Sequence, residues 1–408
     1  MRLCIGTAKG IVILDPSRGA TPLMVLADPS AVWCMAQDCA DPNLIYAGST
    51  EQIRGKGTLA RSTDGGRTWT DVTPPLAREE EVWSVAASPA VKDRVFIGTS
   101  HARLFRSDDR GRIFKESDGF LKIPGRDRWT FPPPPHIPHV RSIAFDPHEP
   151  STMYVGVEEG GIFRSRNDGA TFEPLNDGLY ADIHTVAVDS RDSRRLYATT
   201  GAGFFVSGNA GNSWDQVTRG LNRTYTIPLL VSAPDRDDVF TAAAMGPPPT
   251  WRVAPTGADA MLFRSADRGE SFTPISAEQN FGRGMVMRMK ADPENGGFFL
   301  MLPLAGPSNA RDATGLMVDY AIDPFQILPI AFNADWFWFS GPRYAMNIID
   351  YRSRTMFALD DLEKNSVDYY AALRSAYTQN RAELIRAKRE GTDTKSELER
   401  RDNVALVR

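Results

Sequence analysis

The side chains of this 408-residue chain best suited to chemistry are histidines, arginines and tryptophans placed beside proline-stiffened segments. His101 and Arg103 sit close together. Trp129 precedes Pro132 to Pro135, and His136-Ile137-Pro138-His139 leads directly into Arg141. Trp251-Arg252 follows Pro247 to Pro249. Guanidinium groups clamp carboxylates bidentately, and an electropositive, aromatic-lined mouth suits a carboxylate, a sugar or a peptide tail. Ligand-binding positions are therefore expected at Trp129, His136, His139, Arg141, Trp251, Arg252, His101 and Arg103. His136 and His139 are spaced i, i+3 in a proline-rich loop with no paired carboxylate, so neither a metal nor a cofactor is expected. Sugar hydrolysis needs an acid and a second carboxylate; Glu158 or Asp127 would be such a mouth acid. No Ser-His-Asp order and no Gly-rich phosphate loop is present.

The elements that must position these residues are read from a repeat. Ser-Thr-Asp-Gly-Gly-Arg-Thr-Trp at 62 to 69 returns as Ser-Asp-Asp-Arg-Gly-Arg-Ile-Phe at 107 to 114 and Ser-Arg-Asn-Asp-Gly-Ala-Thr-Phe at 165 to 172. Ser-Gly-Asn-Ala-Gly-Asn-Ser-Trp at 207 to 214 and Ser-Ala-Asp-Arg-Gly-Glu-Ser-Phe at 265 to 272 complete the series. Short β-rich runs precede the copies, as Val140 to Phe145 and Met153 to Gly156 do. Each unit thus reads as four antiparallel strands, a propeller blade that stacks radially because it cannot bury two faces alone. Within the motif, Asp or Asn accepts backbone hydrogen bonds, Gly supplies φ > 0, and the aromatic packs between blades.

This motif resembles the Asp-box, or BNR, repeat of sialidase-like and sortilin-type propellers, over roughly residues 1 to 300. The resemblance implies a structural rather than catalytic role for the box. Ile5-Gly6-Thr7 matches Ile97-Gly98-Thr99, so the chain begins at a second strand, and Met285 to Lys290 is the expected donor of the missing inner strand. That closes six blades, with an incomplete seventh beginning near Phe298-Phe299 as the alternative. Strand alternation puts the Asp-box turns at one end of the ring. His101, His136, His139 and His184 fall at the other, with the long aromatic insertions.

After about residue 300 the repeat stops. Helical periodicity is expected over Trp336 to Met356, and a polar helix over Val367 to Arg389 capped by Asn365-Ser366. The ordered motifs Leu302-Pro303-x-x-Gly306-Pro307-Ser308-x-x-Arg311-Asp312, Asp350-x-Arg352 and Asp360-x-Leu362-x-x-x-Ser366-x-Asp368-x-Tyr370 resemble the C-terminal half of the MlaA/VacJ phospholipid-transport lipoproteins. This resemblance implies a phospholipid path and a cell-envelope location. The expected fold is an all-β propeller followed by a small α-helical segment, divided as 1–299, 300–390 and a charged, disordered tail at 391–408.

Forty-seven Lys and Arg against 51 Asp and Glu give a net charge of −4, which excludes a polyanion-binding field and with it nucleic acid. Cys4, Cys34 and Cys39 are too few, and odd in number, for a disulfide framework. The N-terminus lacks a signal-peptide pattern, which gives a cytoplasmic expectation, and the richest apolar run, Phe325 to Phe339, is too short and too interrupted for a transmembrane helix. The expected function is a non-catalytic binding module for a peptide, glycan or protein. The alternatives are a sialidase-type glycosidase and an outer-membrane lipid-asymmetry component.

Overall fold

A computed structural model describes residues 3–7, 10–14, 23–26, 32–49, 57–78, 80–132, 136–232, 236–254, 256–276 and 284–291. It further describes strands over 298–303, 327–333, 336–340, 346–350 and 355–358. Among these residues lie seven antiparallel sheets, taken in chain order as the first to the seventh. The first has three strands, Leu3–Thr7, Gly10–Leu14 and Leu23–Leu26. Five four-stranded sheets follow, with inner strands Val32–Gln37, Val82–Ala87, Val140–Phe145, Ile183–Val188 and Tyr225–Val231. The seventh has six strands, starting at Arg288–Ala291.

Successive inner strands pack side by side around an axis, and Leu3–Thr7 touches the seventh sheet through Ile327–Asn333, so the sheets form a propeller ring. The closure differs from expectation. Arg288–Ala291 pairs with Phe298–Pro303 rather than completing the first sheet. A partner only a few residues away costs far less loop-closure entropy than one at the other end of the chain. The residues over Trp336 to Met356, expected to be helical, instead carry strands Trp336–Ser340, Met346–Asp350 and Thr355–Ala358. Aromatic and β-branched residues favour the pleated surface, and a run apolar on both faces shows no strand alternation in sequence. The polar helix expected from Val367 and the tail at 391–408 lie outside the described residues. The expected boundary at 299 falls within strand Phe298–Pro303.

The five repeats that resemble Asp boxes, and keep that label here, fold as turns. Ser62 Oγ accepts from the Gly66 N–H at 2.8 Å, while Asp64 Oδ1 accepts from the N–H groups of Arg67 and Thr68, both at 2.9 Å. Gly66 takes φ +86°, which an L side chain adopts only with strain. The box aromatics Trp69, Phe114, Phe172, Trp214 and Phe272 each pack in an apolar cluster shared by two neighbouring sheets. Arginines add a clasp: Arg61, Arg106 and Arg164 donate to the Arg110, Asp168 and Ala210 carbonyls in the next sheet's box. In the fifth sheet Val206 stands at that place, and Arg195 donates to the Arg268 carbonyl instead.

Sheets also dock at the axis. A Cβ on Gly98 would lie 2.4 Å from Val140 Cβ, so this glycine in the third sheet leaves a notch for the first residue of the next inner strand. Immediately after that residue the register shifts. Trp33, Trp83, Arg141 and His184 are each the extra residue of a β-bulge, lying between Val32/Cys34, Val82/Ser84, Val140/Ser142 and Ile183/Thr185. Four successive sheets therefore re-aim one large side chain each at the same level, at the end of the ring opposite the Asp boxes.

Candidate functional site: an ionisable cluster at the axial mouth

The bulged residues meet side chains from two further kinds of position: the residue before an inner strand, where Glu81, His139 and Asp182 stand, and the turn after a second strand, where Glu158 stands. His139 stacks on Trp83 with centroids 3.7 Å apart, Trp33 packs edge-on to Trp83 at 5.1 Å, and Phe131 lies against His139 at 4.6 Å. Arg141 covers both tryptophans, at 4.8 Å from the Trp33 ring and 5.3 Å from Trp83. Arg288 approaches the Trp33 ring from the seventh sheet at 5.7 Å.

Three carboxylates and two imidazoles occupy this mouth. Glu158 Oε2 lies 2.6 Å from His139 Nε2 and 3.3 Å from Arg141 Nε. Asp182 and His184 stand next along the ring. Burial raises the Glu158 carboxyl, but the Arg141 charge and the His139 hydrogen bond outweigh it and hold the group below its ordinary range. Asp182 goes the other way: burial first, then the charges of Glu158 and Glu159, push it up to about 8. Burial lowers both His139 and His184, the latter to about 4. Burial also lowers Arg288 to about 10 and raises the Cys34 thiol to about 12, which keeps that sulfur unreactive.

Glu81 differs from the other two acids because it is only half-buried. It precedes Val82, its backbone N–H donates to Ser100 Oγ at 2.8 Å, and its Oε2 accepts from Trp83 Nε1–H at 3.0 Å. Burial pushes its carboxyl up to about 7, against the pull of the Trp83 hydrogen bond. A reachable carboxylic acid that stays protonated near neutrality is a proton donor for general acid chemistry.

Of the residues expected to bind ligand, His139 and Arg141 come together through Glu158. His101 and Arg103 share Glu80 on the rim, at 4.0 and 2.7 Å, and Arg103 also pairs with Glu116 at 2.5 Å. Trp129 packs on Phe120 and Phe163, and Trp251 on Tyr225, in two separate clusters. His136 is exposed, with Nδ1–H donating to the Phe131 carbonyl. The Arg252 side chain lies outside the described residues. Trp33, Trp83, Glu81 and Asp182 were not expected at the site. Their signal is positional: each is the bulge residue, or the residue just before, relative to the β-branched opener of an inner strand.

The fold and mouth define a β-propeller with a buried ionisable cluster on its axis. Comparison with known proteins narrows this. The chain is 26% identical over 263 residues to a xyloglucanase of Hypocrea jecorina, covering 62% of this chain and 27% of that protein. It is 26% identical over 282 residues to a xyloglucanase of Paenibacillus, covering 60% and 26%. The chain thus spans about a quarter of the length of these curated relatives. The crystal structure of a GH74 xyloglucanase from Xanthomonas campestris superposes with TM-score 0.55 at 16% identity, over 72% of this chain and 48% of that one. A family model described as MlaA lipoprotein matches residues 278–384, and the phospholipid expectation rests on that match alone.

These findings correct the expected function. The two xyloglucanases carry the name of a glycoside-hydrolysing enzyme, which overturns the non-catalytic binding module, and they lend no support to the sialidase-type alternative. The match bearing on a lipid-asymmetry role is confined to 278–384. Among the described residues no helix is long and apolar enough to cross a membrane.

Proposed function

We propose that this chain is a glycoside-hydrolase propeller that engages a xyloglucan-like polysaccharide at its axial mouth, with Glu81 as proton donor. The observation that carries the reading is the placement of Glu81: a half-buried carboxylic acid, raised to about 7 by burial, fixed by Trp83 among aromatic planes. Cleaving a glycosidic bond requires an acid that protonates the leaving oxygen and a second carboxylate that activates water or attacks the sugar; Glu81 fills the first role, and because Trp83 and His139 are buried against each other, the half-buried Trp33 is the ring of this stack left to meet a sugar. Tyr180, 48% exposed in the crossing that leads to Asp182, adds an apolar face on the same rim. The xyloglucanase relatives support the substrate class.

The test is incubation of the full chain with xyloglucan, cellulose and mannan, with the released oligosaccharides resolved by chromatography. Hydrolysis of xyloglucan in preference to the other two is expected. Intact polymer in all three reactions, from a chain with a native circular dichroism spectrum, contradicts the reading.

A further inference from the structure

We propose that Glu158, Asp182 and His184 bind one divalent transition-metal ion, with Zn2+ the best match. One donor atom from each lies within 4.8 Å of the others, and all three residues are buried. The Thr226 carbonyl lies 2.5 Å from His184 Nδ1. A carbonyl only accepts, so Nδ1 carries the ring proton and Nε2 is left with a bare lone pair, the tautomer a metal ligand requires. That lone pair faces Asp182 Oδ1 across 3.5 Å, and neither atom has a hydrogen-bond partner. Once Asp182 releases the proton that burial otherwise keeps on it, as a ligating carboxylate must, two buried acceptors stand opposed, and a cation between them removes that cost. Two ligands of a tetrahedral zinc ion, each about 2.0–2.1 Å from the metal, stand about 3.4 Å apart; the observed gap is close to that.

Glu158 is braced from behind. His139 Nε2 at 2.6 Å and the Arg141 guanidinium at 3.3 Å hold its carboxylate, as outer partners orient a ligating carboxylate. Two carboxylates balance the charge of a dication. A donor set with one imidazole favours a late first-row ion over Mg2+ or Ca2+, which take oxygen ligands in larger number. His136 and His139, the pair weighed from sequence, are not among the ligands. The inference does not depend on hydrolysis: either can fail alone.

The test uses the full chain, dialysed against EDTA and then titrated calorimetrically with Zn2+, and in parallel with Co2+ followed by visible absorption. One Zn2+ per chain and the absorption bands of a low-coordinate Co2+ site are expected. Asp182→Asn and His184→Gln should each weaken binding by at least about 10-fold to 100-fold, while His101→Ala and His148→Ala, on exposed histidines, leave it unchanged. Absence of binding by natively folded wild type, or undiminished binding in a folded His184→Gln variant, overturns the proposal. If neither variant folds, the wild-type His184 Nε2 nitrogen resonance decides: a shift on adding Zn2+ is expected, and an unmoved resonance overturns it.

Discussion

At the residue scale the chain separates carboxylates by what surrounds them. Glu81 is raised by burial, so it is protonated below about 7 and loses its proton above. If it donates the proton in hydrolysis, kcat/KM falls as pH rises through about 7, and Glu81→Gln removes that limb while lowering kcat by roughly 10²–10⁴-fold; a pH profile of xyloglucan hydrolysis for both proteins checks this. The Asp boxes run the opposite way. Hydrogen bonds within the turns outweigh burial and lower Asp64, Asp109 and Asp267, the last to about 2. A carboxylate with a depressed folded value adds stability above its unfolded value of about 3.9, and that stability is lost as pH falls towards about 2. Asn167 and Asn209 accept the same i+4 backbone N–H without charge and donate their Nδ2 to the i+4 hydroxyl. Replacing Asp64, Asp109 and Asp267 by Asn is therefore expected to leave the melting temperature at pH 7 within a few degrees and to flatten its decline below pH 4, measured by calorimetry. This turn chemistry was legible in sequence because Ser, Asp and Gly at fixed offsets have one compatible local geometry.

At the scale of the element, the inner strand does two jobs in three residues. Val140 fills the notch over Gly98, Arg141 bulges toward the axis, and Ser142 returns to register. Gly98→Ala would bring a methyl within 2.4 Å of Val140 and Ser84 Oγ, and this overpacking is expected to cost about 1–3 kcal/mol. Thermal unfolding should show a melting point lower by several degrees, and partial recovery with Val140→Ala. The bulges explain why the site was only partly legible. His139, Arg141 and Glu158 stood out because charged residues beside apolar strands are conspicuous. Trp33 and Trp83 carry no such mark in sequence, since an extra residue in a strand breaks the two-residue alternation by which facing is read.

At the scale of the whole molecule, a repeat can announce blades without announcing how they close. Five boxes made four-stranded units readable, whereas the first sheet and the seventh carry no box and their pairing follows from proximity along the chain. The seventh sheet crosses position 299, because Phe298–Pro303 pairs with both Arg288–Ala291 and Ile327–Asn333. A chain ending at residue 299 is expected to melt below the full chain in calorimetry, and equal melting points would show that the closing sheet adds nothing to the ring. The mouth is built by bulges from four consecutive sheets and by Arg288 from the seventh, so its integrity depends on that ring. The most direct test is a crystal structure of the Glu81→Gln chain soaked with a xyloglucan oligosaccharide. Sugar rings at the mouth, with a glycosidic oxygen beside residue 81, are the predicted result; density over the Asp-box end, or none anywhere at saturating sugar, would contradict the account.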